Sequence, residues 1–153
     1  MAKKTIKLPL SDEERKLLRQ ARIKLSDIAG LDAETLSTLT TITIERAKRL
    51  AALACFQQIP SIGIRLAEDL VSIGYYSLEE LRDQDGARLI EKLENHCGTW
   101  IDPCVEDQLR CVVFHANHPG SEKQWWDFTA ERKAYRAKHG YPADRPTTPW
   151  HEE

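Results

Sequence analysis

The pentapeptide Ile59-Pro60-Ser61-Ile62-Gly63 constrains this chain more than any other stretch, because it joins two segments of helical apolar periodicity with residues that dictate how they meet. Pro60 has a fixed φ and no N–H, so it halts the helix before it. Gly63 lacks a Cβ, which opens the backbone to positive φ and to close approach by a ligand. Ile59 and Ile62 anchor the turn in a core. Such a turn delivers a new helix N-terminus whose first amides have no intrahelical acceptor, and so offers a phosphate site made of backbone N–H groups. Ser61 stands where such turns usually carry glycine, and a serine forced into a glycine-type conformation costs roughly 1 kcal/mol or more.

The rest of the chain reads as helices separated by strong punctuation. Ser11-Asp12-Glu13-Glu14 forms a capping box that opens a basic amphipathic helix to about Arg22, with Leu17, Leu18 and Ala21 on its apolar face. Leu25-Ser26-Asp27-Ile28 is a one-turn element, Asp32 caps a helix holding Leu36 and Leu39, and Thr43 caps a longer helix over roughly residues 44–57. Beyond the pentapeptide a helix runs to about Ile73 and stops at Gly74. Ser77-Leu78-Glu79-Glu80 caps a short helix, and Asp85 starts one that reaches about His96 before Gly98. Asp102-Pro103 supplies an N-cap and an N1 proline for a helix through about Asn117, ended by Pro119-Gly120. Trp125-Trp126-Asp127-Phe128 leads into a final polar helix to about His139, and Gly140, Pro142, Pro146 and Pro149 make the tail irregular. No run sustains period-two alternation, so the fold class is all-α.

Two internal echoes organise these helices. A shift of 20 residues aligns Leu39 with Ile59, Ile42 with Ile62, Ile44 with Ile64, Ala47 with Ala67 and Leu50 with Leu70, making Leu39-Thr40-Thr41-Ile42-Thr43 a second, glycine-free turn. A shift of 53 aligns Leu25 with Leu78, Ile28 with Leu81, Asp32 with Asp85 and Leu36 with Leu89. Two hairpin units sharing the 44–57 helix would explain both, although amphipathic helices of similar length also align by chance. The expected layout is a basic N-terminal helix (1–24), a tandem helix-hairpin-helix, SAM-like core (25–98), a packing helix (99–120) and an aromatic and basic C-terminal helix with an irregular tail (121–153).

Composition sets outer bounds. With 153 residues, 41% hydrophobic and 30% charged, the chain suits one domain or two tightly packed subdomains of a globular protein. The first residues carry lysines but no apolar signal core, and no apolar run approaches the length of a membrane span, so a cytoplasmic, membrane-free protein is expected. Cys55, Cys97, Cys104 and Cys111 form no CxxC pair, which favours reduced, mostly buried thiols. The net charge is −2 but unevenly spread: residues 1–24 hold eight basic side chains against three acids, and residues 59–98 hold four against eight. Long-range attraction for phosphate would therefore come from the N-terminal arm, from Arg46, Lys48 and Arg49, or from the cluster of Arg132, Lys133, Arg136 and Lys138.

Leu25 to Ala54 resembles the helix-hairpin-helix half of the carboxy-terminal domain of the RNA polymerase α chain, and similar tandem modules. Ile59 to Phe128 resembles the small bacterial family of pathogenicity-locus or mitomycin-resistance-associated proteins, through the Ile59-to-Gly63 turn with Ala67, Glu68, Asp69 and Leu70, then Asp102, Cys104, Arg110 and Cys111, then Trp125-Trp126. The resemblance implies no reaction, and at most DNA binding by analogy with other helix-hairpin-helix proteins.

The expected function is weak, non-sequence-specific DNA binding. Amides of Ile62, Gly63 and Ile64 would face one phosphate with Arg65 and Lys48 adding charge, and Ser61, Thr41, Thr43 and Arg46 complete the expected DNA-binding set. Such contacts position a protein on a duplex without reading its sequence. The alternative is a non-enzymatic protein-interaction adaptor with a degenerate hairpin, docking through Trp125, Trp126, Phe128, Tyr135, Tyr141 and Trp150. No cofactor is called for. Cys104, Cys111 and His115 fall on one helical face, but their spacings match a core stripe better than four converging zinc ligands, so no metal is expected. No phosphate-cradling glycine loop, nucleophile elbow or HExxH motif is present, and Glu79, Glu80, Glu91 and Glu94 read as solvated helix faces, so no enzyme is expected.

Overall fold

The computed structural model describes residues 5–152. Its helices are α1 (Asp12–Gln20), α2 (Leu25–Ile28), α3 (Ala33–Thr40), α4 (Ile44–Phe56), α5 (Ile64–Ser72), α6 (Gly86–Cys97), α7 (Pro103–Asn117) and α8 (Thr129–His139), with 3-10 turns at Glu79–Leu81, Trp125–Phe128 and Trp150–Glu152. The fold is all-α. The chain divides into two compact units, Met1–Ser77 and Leu78–Glu153, and their boundary falls inside the 25–98 stretch expected as one core.

In the first unit the caps act where the residues dictate. Ser11 and Glu14 close a reciprocal capping box on α1, and the Asp32 carboxylate accepts from the Thr35 amide at the start of α3. α4 is the hub, packing against α2, α3 and α5. Its inward stripe of Ala47, Leu50, Leu53, Ala54 and Phe56 is fully buried with Ile28, Leu36, Ile62, Ala67 and Leu70. A side-chain amide ties the N-terminal segment to this hub: Gln57 Nε2 donates to the Lys7 carbonyl at 2.7 Å, and the Lys7 amide donates to Gln57 Oε1 at 2.9 Å. Ile6 and Leu8, on either side of Lys7, are thereby buried.

The second unit is built on α7, which packs against α6, α8 and both the Glu79–Leu81 and Trp125–Phe128 turns. Asp85 and Asp102 cap α6 and α7, Pro103 occupies the first turn of α7, and Gly98 ends α6 in a left-handed conformation at φ 75°. α6 and α7 approach so closely at Gly86 that a Cβ there would lie 2.5 Å from Arg110 Cγ and 3.0 Å from the Arg110 backbone. The tail returns to the loop before α7, where the Trp100 amide donates to the Thr148 carbonyl and the Trp150 amide to the Trp100 carbonyl, each at 2.9 Å.

Several expectations about this unit need correction. The acids read as solvated include Glu94, which is 1% exposed, receives Arg145 at 2.9 and 3.0 Å and accepts the Ile101 amide at 2.7 Å. Glu91 is half-buried and paired with Arg136. Two further acids, Glu106 and Asp107, are buried side by side on α7. Glu106 takes Arg110 and Arg136, each at 3.0 Å, and Asp107 takes Arg132 at 2.8 Å together with the Thr129 hydroxyl at 2.8 Å. The arginines of the 132–138 cluster therefore turn inward, leaving Lys133 and Lys138 exposed. α8 has no buried residue of its own and is held by these charges, because burial of a carboxylate is tolerated only with a partner in place. The thiols also differ from expectation: Cys111 is buried, Cys55 and Cys104 are half-buried and Cys97 is exposed.

Candidate functional site

The two turns linked by the shift of 20 adopt one backbone design. Thr41 and Ser61 are both left-handed, at φ 64° and 66°, and the residues that follow, Ile42 and Ile62, are both buried. Thr43 and Gly63 then take the same place, as extended N-caps of α4 and α5. Ala47 and Ala67, and Leu50 and Leu70, are buried in register behind them. The shift of 53 is also physical: Ile28 and Leu81 sit buried in short helical turns, and Asp32 and Asp85 cap the helices that follow, whose Leu36 and Leu89 are buried. Leu39 breaks the first pattern, standing 55% exposed where Ile59 is buried.

The positive φ expected of Gly63 belongs instead to Ser61, while Gly63 itself has φ −108°. Because αL geometry precedes the N-cap by two residues, the strain of a β-carbon falls on Ser61 in one turn and on the β-branched Thr41 in the other. Each turn is braced locally. The Ser61 hydroxyl donates to the Pro60 carbonyl and the Ile62 amide to the Ile59 carbonyl at 3.2 Å. In the first turn the Thr40 hydroxyl donates to the Leu36 carbonyl at 2.6 Å, and the Ser37 hydroxyl donates to the Ile42 carbonyl.

The helix N-termini differ in one respect that matters to a ligand. The Thr43 hydroxyl accepts the Arg46 amide at 3.3 Å, so α4 is capped by its own chain. Gly63 offers no side chain, and no side-chain hydrogen bond caps α5. A Cβ placed on Gly63 would meet nothing within 4 Å, so its bareness serves no packing need and the space beside the start of α5 is open at this position. Ile64 is half-buried and Arg65 exposed. One turn along, burial pushes the Asp69 carboxyl up to about 6, with Glu68 adding to the rise and Arg65 opposing it.

The nine residues expected to act together do not share one place. α4 has thirteen residues, about 20 Å at 1.5 Å each, and the two turns lie beyond its opposite ends. Ser61, Ile62, Gly63, Ile64 and Arg65 gather at the second turn; Thr41, Thr43, Arg46 and Lys48 belong to the first. Arg46 is also occupied: it donates to Glu14 at 2.7 and 3.0 Å and to the Pro9 carbonyl at 2.6 Å. The hydrogen bonds from Arg46 hold the Glu14 carboxyl below its ordinary value. Lys48 remains exposed. Lys3 and Lys4 of the basic N-terminal arm lie outside the described residues.

The aromatic alternative separates similarly. Phe128 is buried, and Tyr135 lies under the Arg110 guanidinium at 5.0 Å. Tyr141 stacks beneath Arg145 and Arg136 at 3.6 and 4.3 Å from the ring centroid. Trp126 and Trp150 project outward, 56% and 47% exposed. On α7, the His115 ring nitrogen Nε2 is bonded to the Lys123 carbonyl at 2.8 Å, and the buried Cys111 thiol points to the same oxygen at 3.8 Å. These side chains thus hold down the loop before the Trp125–Phe128 turn. Among the described residues no helix is long and apolar enough to cross a membrane.

A pathogenicity-locus family model, Cdd1, matches residues 48–134, from within α4 to within α8. The match extends beyond Ile59 to Phe128, the span of the resemblance read from sequence. The chain is also similar to mitomycin resistance protein McrB of Streptomyces lavendulae, 31% identical over 81 residues that cover 53% of this chain and 76% of that protein. No solved structure matches. The residues that carried the resemblance have evident structural places: Asp102 caps α7, Arg110 answers the buried Glu106, Cys111 lies in the core, and the rings of Trp125 and Trp126 meet edge to face. By a family match over more than half its length, this all-helical chain belongs to the Cdd1 pathogenicity-locus family.

Proposed function

We propose that this chain is a non-enzymatic protein that binds DNA weakly and without sequence preference, seating a backbone phosphate on the helix-hairpin-helix turn at Ser61 to Arg65. One observation carries the reading: α5 begins at a bare, unobstructed Gly63 with no side-chain cap, whereas the equivalent start of α4 is closed by Thr43. An anion at such a terminus gains about 0.3–1 kcal/mol from the helix dipole, augmented by direct amide hydrogen bonds and by the exposed Arg65. The neighbouring Glu68 and Asp69 work against it, which keeps the affinity low. The relative named for mitomycin resistance is compatible with this role and supplies no reaction.

The test is a titration of labelled duplex DNA of about 20 bp at low salt, repeated as salt rises. Binding should weaken steeply with salt and fall several-fold in Gly63→Ala, whose methyl enters open space in the fold but obstructs the amides. Arg65→Gln should reduce both affinity and salt dependence. Absence of salt-sensitive binding, or equal affinity in Gly63→Ala, refutes the proposal. The outward Trp126 supports the adaptor reading as a second possibility; it predicts a protein partner lost on Trp126→Ser with the melting temperature unchanged.

A further inference from the structure

A second surface of the first unit lies outside these turns. Between the N-terminal segment, α1 and the start of α2 is a groove of about 270 Å³. Leu10, Leu18, Ile23 and Leu25 form its apolar part, and no aromatic ring lines it. Arg15, Arg19 and Lys24 also border it, all three exposed. Arg15 and Arg19 are spaced i, i+4 on α1, a like-charge arrangement that disfavours the isolated helix. Among the described residues none of the three cations enters an ion pair, although Asp12, Glu13 and Glu14 occupy the first turn of the same helix. Glu14 is instead committed to Arg46.

We infer that this groove is a docking site for an acidic amphipathic segment of a partner protein, which seats one large apolar side chain among Leu10, Leu18, Ile23 and Leu25 and sets carboxylates against Arg15, Arg19 and Lys24. Charge complementarity selects the occupant's sign, and the apolar floor selects its class. A nucleic-acid backbone would answer the cations and leave the leucines uncovered, and a stacked base would find no ring to lie on. A helix with apolar residues three or four apart and glutamates between them satisfies both requirements at once.

The experiment uses the full chain and a fluorescein-labelled synthetic peptide in which leucine or phenylalanine recurs every third or fourth position among glutamates, read by anisotropy. Binding is expected for this peptide and not for controls with either the apolar residues changed to serine or the glutamates changed to glutamine. The surface variant Arg15→Gln/Arg19→Gln/Lys24→Gln, which removes only exposed charge, should lose about tenfold in affinity. Gly63→Ala should bind the peptide as the wild type does, separating this site from the phosphate turn. Equal binding by the triple variant, no binding of the peptide, or a triple variant that loses only duplex DNA or phosphatidylserine vesicles overturns the inference.

Discussion

Replacing Arg132 with methionine should strip the buried Asp107 of its counter-charge while keeping most of the side-chain volume. Asp107 has no exposed side-chain surface; Arg132 Nε donates to Oδ1 at 2.8 Å, while Oδ2 receives the Thr129 hydroxyl at 2.8 Å and Arg132 Nη2 at 3.4 Å. Without the guanidinium, a full carboxylate charge is left with one hydroxyl donor in a site closed to water. Removing one partner of a buried pair costs about 3–5 kcal/mol, whereas replacing both by apolar groups of similar size is often close to neutral. Arg132→Met alone is therefore expected to lose about 3–5 kcal/mol, Asp107→Leu alone somewhat less because Arg132 reaches solvent more readily, and the double variant about 0–1 kcal/mol. Urea unfolding followed by tryptophan fluorescence measures each corner of the cycle. A loss below about 1 kcal/mol for Arg132→Met, or additive single losses, would refute the argument that α8 is held by buried charge.

The remaining expectations concern neighbouring features. Asp69, with its folded pKa raised to about 6 from an ordinary 3.8, binds more protons folded than unfolded between those values, so its contribution to stability falls as pH rises through that window. A dry site would lose about 3 kcal/mol, and solvent screening at this half-buried carboxyl reduces that to about 1; Asp69→Asn should recover it above pH 6 and not below pH 4, by denaturation at both values. Glu14 has the opposite sign, its lowered pKa giving stability that is lost as pH falls through the carboxylate range, so Arg46→Met should flatten the acid limb of the stability profile. Gly86→Ala should cost about 1–3 kcal/mol in thermal melting, because its Cβ would collide with Arg110 Cγ at 2.5 Å and crowd the Arg110 backbone at 3.0 Å. Ser61→Gly should be neutral or stabilising by up to about 1 kcal/mol, since it relieves a left-handed serine; a marked loss would show that the hydroxyl's bond to Pro60 outweighs the strain.

Helix boundaries were legible because they are set by short-range chemistry: Asp32, Thr43, Asp85, Asp102-Pro103 and Gly98 act on amides and carbonyls within a turn of themselves. The twinned turns were legible for the same reason, since one apolar spacing and one capping position recur at a shift of 20. The inward arginines were not. Glu94, Glu106 and Asp107 have no single neighbour in sequence that marks them as buried charges, and their partners Arg145, Arg136 and Arg132 are 25 to 51 residues away. A signal existed in the adjacent Glu106 and Asp107, set within the apolar run of Val105, Leu109, Cys111 and Val112, and in arginines spaced i, i+4 on a helix with no apolar face. The turn at Ile59 to Gly63 was legible as the link between α4 and α5, but not in its glycine logic. Strain passed to Ser61, because the position that needs αL geometry is fixed by the turn rather than by where glycine happens to stand.

α4 runs from one of the twinned turns to the other, so its length acts as a phase setting. Each residue added to or removed from an α-helix turns everything beyond it by 100° about the axis and shifts it by 1.5 Å. A single insertion within Ile44–Phe56 would leave every cap and both turns chemically intact while swinging α5 a quarter-turn or more away from the face to which Leu66 and Leu70 now pack. Three or four residues, close to one full turn, would nearly restore the direction and move the second turn about 5 Å outward. Working relatives that differ in this helix should therefore differ by about a turn at a time, and a one-residue change there is a way to uncouple the two turns without touching either.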